Sequence, residues 1–130
     1  MQLKQFPPSL FLRIGLGLVL LWFGISETFD PKTWSSYVPL LVQSLLPITV
    51  TTFVMVHGII EVIFGSLLLI GFAQRIVSVL VSLHLLSILI GVGYNEIGVR
   101  DFGLVMAAIA LALSEPDAYT LDAWRSRRNL

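Results

Sequence analysis

Cysteine is absent from the 130 residues. That excludes disulfides, thiolate metal sites, iron–sulfur ligation and any thiol–disulfide chemistry carried by the chain itself. Charge is scarce: eight basic and eight acidic residues make up 12% of the sequence, half of the roughly 25% that soluble domains carry. The two signs cancel, so nucleic-acid binding has no electrostatic support. There are only two histidines. No internal repeat or low-complexity segment is visible, and the length allows one small domain without a separate soluble module.

What the chain does have is apolar surface. Hydrophobic residues make up 56% and the mean hydropathy is +0.90. Four apolar runs stand out, at about 10–29, 49–71, 76–93 and 102–114. A membrane-spanning helix needs roughly 20 such residues, so the fourth run must extend back through "EIGVRD" or forward into the tail. The first run does not read as a signal peptide. Arg13 interrupts its start, and "GISETFD" lacks a small-x-small cleavage pattern. The expected fold is therefore all-α: an integral membrane four-helix bundle with spans at about 10–29, 49–71, 76–93 and 100–114.

Two further segments are expected at the membrane interface. Residues 34–46, after the first helix, carry Trp34 and Tyr37 and are bracketed by Pro39 and Pro47. Residues 117–126 have start signals at Pro116 and Asp117, an apolar side with Leu121 and Trp124, and "RSRR" behind them. Orientation follows from positive charge. Lys4, Arg13, Arg75, Arg125, Arg127 and Arg128 fall on one side, Lys32 and Arg100 on the other, which puts both termini in the cytoplasm.

Charges near a bilayer centre cost several kcal/mol, about 2.5–3.5 on insertion scales, so they face the bundle interior or pair with one another. In the first helix Arg13, Gly17, Gly24 and Glu27 fall within about 80° of arc, with Trp22 opposite Arg13. In the second, "HGIIEVIFG" (57–65) puts His57 and Glu61 one turn apart, with Gly58 and Gly65 beside them. The glycines allow close helix approach. His84 of the third helix lies at about the depth of Glu61, roughly 14–15 Å from the shared turn. Ser78 and Ser82 face nearly the opposite way, and serines can bond the preceding turn's carbonyls, which favours His84 as the inward residue. The His57–Glu61 pair reads either as a packing seam or as a proton-handling or ligand-contacting pair. Two ligands on one helix are too few for a metal, so none is expected. An axial offset on the order of 7 Å between the histidines disfavours a haem. At the outer end of the fourth helix, Arg100 and Asp101 form either an interfacial ion pair or, for Asp101, part of a polar vestibule with Glu27 and His57.

"RIGLGLVLLWFGISETFDP" resembles the opening of DoxX-family membrane proteins, where an Arg leads into a Gly-containing helix ending in G-x-x-K. "YVP", "IIEVIFGSLLLIGFAQR", "RDFGL" and "AYTLDAW" are also similar to DoxX segments, in the same order along nearly the whole chain. Matching positions are Arg13, Gly24, Glu61, Gly65, Gly71, Arg75 and Asp101. Glu27 stands where the family frequently has Lys, which weakens any transfer of anion binding to that position. The resemblance implies a four-helix membrane bundle. Relatives include the membrane subunit of thiosulfate:quinone oxidoreductase, and other members are linked to oxidative or sulfur stress. A bacterial or archaeal plasma membrane is the expected location.

The leading functional expectation is a subunit of a redox membrane complex that contacts a quinone. His57, Glu61 and His84 would handle protons, which a His–Glu pair in an apolar site is suited to do. Arg13, Glu27 and Asp101 would contact the ligand, and Gly17, Gly24, Gly58 and Gly65 would pack helices. No flavin, haem or cluster motif is present, so electrons would come from another subunit. The expected partners are the lipid bilayer, other membrane or redox subunits, and a second copy of the chain as a homo-oligomer. Two alternatives stay open: a structural or assembly subunit without its own chemistry, and, ranked last, a small transporter.

Overall fold

A computed structural model describes residues 6–129; Lys4, counted in the charge asymmetry, lies outside them. The elements among the described residues are α1 (Pro8–Phe29), α2 (Pro31–Ser35), α3 (Leu40–Leu45), α4 (Val50–Ile70), α5 (Gln74–Val92), α6 (Glu96–Leu113) and α7 (Leu121–Arg128). No strand occurs among them.

Proline and capping chemistry set the boundaries. α1 starts with Pro8 at its first turn and stops before Pro31, whose ring disfavours a helical Asp30. Asp30 leaves the helical conformation, at φ −132° and ψ 61°, and accepts from the Thr33 amide to open α2. α4 ends at Gly71 in the left-handed conformation, φ 69°, with its amide and that of Phe72 closing onto Leu67 and Leu68. α6 is capped by Asn95, whose side chain accepts from the Gly98 amide at 2.9 Å. The fourth apolar run thus gains length by extending back through "EIGVRD". Forward extension is stopped at Ser114, extended and two residues short of Pro116.

α1, α4 and α5 are long and apolar enough to cross a membrane. α6 has 18 residues but carries Glu96, Arg100 and Asp101 in its first half. The outward face of α1 is Phe11, Ile14, Leu18, Trp22 and Ile25, one residue per turn, with Trp22 61% exposed. α4, α5 and α6 present similar rows of exposed Ile, Leu, Val and Met. In water such patches are aggregation liabilities; against acyl chains they are the ordinary surface. This is an integral membrane helical bundle.

Two antiparallel pairs build it. α1 packs along α4, and α5 along α6, with lighter contact between the pairs. Gly17 meets Gly65 and Gly24 meets Gly58 across the α1–α4 seam. A Cβ added at Gly24 would lie 2.5 Å from the Gly58 carbonyl oxygen, and one at Gly65 would lie 2.8 Å from the Gly17 carbonyl oxygen. Backbone contact this close gives van der Waals attraction that burial against lipid alone does not supply. The apolar core (Leu16, Leu20, Leu68, Val77, Val81, Leu85, Val105, Ala108, Leu111) fills the half nearer the termini. The opposite half is less filled; Glu27, His57, Glu61 and Asp101 line the space there, while buried Arg13, Gln74, Ser78, Asp117 and Thr120 belong to the packed end.

Candidate functional site

The glycine register that joins α1 and α4 also places Glu27 beside His57. The His57 Nδ1 donates to Glu27 Oε2 at 2.7 Å. Glu61, one turn further along α4 and 3% exposed, turns instead to α5, where His84 Nε2 lies 3.3 Å from its Oε1. The two imidazoles stack on each other, 4.5 Å between centroids and 28° between planes. Phe64 meets His84 edge-on at 5.7 Å. The result is one continuous cluster, Glu27–His57–His84–Glu61, drawn from three helices.

Three expectations are corrected here. His57 and Glu61 are not each other's partners, because each finds a closer group across a helix interface than along its own helix. The histidines are not held apart by a 7 Å offset, since their ring centroids lie only 4.5 Å apart across the α4–α5 contact. The ligand count that disfavoured a metal considered α4 alone, and α5 adds a third group to it. The faces of α5 also resolve: Ser78 is fully buried, Ser82 donates to its carbonyl at 2.8 Å, and His84 is half-buried towards α4. Ser78 Oγ itself has no partner among the described residues.

His57 and Glu61 open onto a cavity of about 480 Å³ between the helix pairs. Its walls are mainly apolar and aromatic, with Phe23, Val54, Phe53, Leu85 and Leu104 prominent. Trp34 and Tyr37 of the α2 region and Val42 of α3 form its cover. Trp34 is pinned by a 2.9 Å bond from its Nε1 to Ser26 Oγ and by edge packing on Phe23. Glu27, Arg100 and Asp101 also line the space. Arg100 Nε donates to Asp101 Oδ1 at 3.0 Å, and the guanidinium lies 5.4 Å over the Phe23 ring. Ion pair and vestibule, two separate readings of these residues in the sequence, coexist.

Arg13 is elsewhere. It is 2% exposed at the far end of the bundle, outside the cavity wall, so it does not contact a ligand held there. Its Nε and Nη2 grip Asp117 at 2.8 and 3.1 Å, and Nη1 donates to the carbonyls of Leu68 and Leu69 at 3.0 and 2.7 Å. Four hydrogen bonds from the guanidinium hold α1, the end of α4 and the tail together.

The tail's role was missed in the sequence. Asp117 reads there as a helix start, yet the helix begins at Leu121 with Thr120 as its cap. Asp122 accepts from the amides of Ala73 and Gln74 at 2.9 and 2.8 Å, capping α5 from outside it. The available signal was the scarcity of acid groups: a buried Arg13 needs a counter-ion, and Asp117 lies in the tail segment that returns to the same side.

Comparison with known proteins gives one family. Residues 9–94 match the family model DoxX. No curated protein matches, and no solved structure does.

Proposed function

The chain belongs to the DoxX family of integral membrane proteins, and from that premise we propose that it serves a redox membrane complex as the subunit that houses a quinone. One observation carries this reading: an apolar, aromatic-walled cavity of about 480 Å³ ends on His57 and Glu61, inside the membrane-spanning part of α4. Small-molecule sites have this form, a concave apolar space of about 300–1,000 Å³ with a few convergent polar groups. A quinone fits the chemistry, with a flat ring for Phe23, Phe53 and Trp34 and carbonyl oxygens for the polar end. The ring's reduction consumes protons, which His57, Glu61 and His84 are placed to exchange. Glu27 and Asp101 border the ligand. Electrons come from a partner subunit, which meets the exposed helix faces or the basic tail. Both termini lie in the cytoplasm of a bacterial or archaeal cell, with Arg75, Arg125, Arg127 and Arg128 inside.

A short-chain quinone titrated into the purified protein tests the cavity. Trp34 lines it, so its fluorescence is quenched, and Trp34→Phe removes most of that quenching. Val54→Trp fills the space and weakens binding by about tenfold or more; unchanged affinity in that variant would remove the cavity as the site. Glu61→Gln lowers turnover of the assembled complex. If turnover stays at the wild-type level with the complex intact, the polar cluster is a packing device. The interhelix pairing of His57 and His84 favours that second reading, of a structural or assembly subunit.

A further inference from the structure

We propose that His57, Glu61 and His84 bind one divalent first-row transition-metal ion, with Glu27 holding His57 in its ligating orientation. Among the described residues these three offer ligand atoms that all lie within 4.8 Å of one another. His84 Nε2 and Glu61 Oε1, 3.3 Å apart, already have the edge length of a tetrahedron with bonds of about 2.0–2.1 Å. The widest separation must close by up to about 1.4 Å to reach that edge, a movement within reach of rotation about side-chain bonds.

Two independent features point to an ion rather than to packing alone. Metal-bound histidines donate their second ring N–H to a carboxylate, a backbone carbonyl or water, which fixes tautomer and ring direction. His57 has that arrangement: Nδ1 is held by Glu27 at 2.7 Å, and Nε2 remains for a ligand. The second feature is an orphan. Glu61 Oε2 is buried and has no hydrogen-bond partner among the described residues, although an unmet acceptor in a low-dielectric interior is costly. A cation bound at this carboxylate neutralises the charge that its two oxygens share, so Oε2 is no longer left with an unmet charge.

The donor set selects the class of ion. Two imidazole nitrogens and one carboxylate suit zinc, iron, cobalt or nickel in the divalent state; magnesium and calcium want all-oxygen shells. The absence of cysteine removes the soft ligands that copper(I) prefers. Three protein ligands leave a fourth position, as in catalytic rather than structural zinc sites. Because His57 and Glu61 line the cavity, that position opens where the polar end of a bound molecule sits.

The test uses the full chain without a polyhistidine tag, purified in detergent, stripped with a chelator and titrated with cobalt(II) in the absence of quinone. Visible absorption of four-coordinate cobalt should saturate at one ion per chain. Glu61→Gln and His84→Gln should each weaken binding by about tenfold or more, and Glu27→Gln by about tenfold. X-ray absorption of the zinc-loaded wild-type protein needs no variant. The chain has only two histidines, so two imidazole ligands per zinc identify this site. No saturable cobalt signal, or a zinc shell without imidazole, overturns the proposal. The quinone titration is a separate measurement, so either reading can fail while the other stands.

Discussion

Single residues carry much of the specificity in so apolar a chain, and glycines show it most directly. At Gly24 any side chain meets backbone, 2.5 Å from the Gly58 carbonyl and 2.7 Å from the Val62 amide. Gly24→Ala must therefore push α1 off α4, and a loss of about 1–3 kcal/mol is expected, read as a lower midpoint in thermal denaturation in detergent. Gly15 is the control, since nothing among the described residues lies within 4 Å of an added Cβ; Gly15→Ala should be neutral or slightly stabilising. Ala73 is the opposite case, a non-glycine residue at φ 45°. Ala73→Gly relieves that strain while keeping the amide that Asp122 accepts from, and should stabilise by up to about 1 kcal/mol. Arg13 and Asp117 form a buried, bidentate pair. Removing either partner alone leaves a buried charge and should cost about 3–5 kcal/mol. The double replacement by leucine should recover part of that loss, which a double-mutant cycle on unfolding would measure.

At the level of elements, α5 depends on a residue that is not its own. Its N-cap residue, Ala73, has no capping side chain, and Asp122 supplies one from the tail, placing a carboxylate at the positive end of the helix dipole. Asp122→Ala should cost about 0.5–2 kcal/mol and raise amide exchange at Ala73 and Gln74 more than elsewhere. The helices themselves were legible in the sequence because hydropathy and proline report directly on a span and its ends. So was the face of α1 shared by Arg13, Gly17, Gly24 and Glu27, since a helix has a fixed angular step. The pairings were not legible. Whether His57 turns to Glu61 or to Glu27 is decided by the α1–α4 register and by where α5 packs on α4, neither of which is encoded within one helix. Asp117 was misread for the same reason: its short-range neighbours suit a helix start, and its actual partner is 104 residues away.

Seen as a whole, the molecule is divided into a packed half and a hollow half. Leu16, Leu68, Val77 and Leu111 fill the end near the termini, which the tail then closes through Arg13 and the α4–α5 turn. The cavity occupies the other end, under α2 and α3. Thr120 sits against Gly71 so tightly that a Cβ on that glycine would lie 2.6 Å from the Thr120 Cβ, and the Asp122 amide donates to the Gly71 carbonyl at 3.2 Å. The closed end has a consequence for biosynthesis. Arg13 enters the bilayer with the first helix, while the carboxylate that neutralises it follows 104 residues later. A growing chain therefore holds an uncompensated guanidinium among its first inserted turns until Asp117 leaves the ribosome. The pair that closes this end can form only after that late residue arrives, whatever the order in which the spans go in.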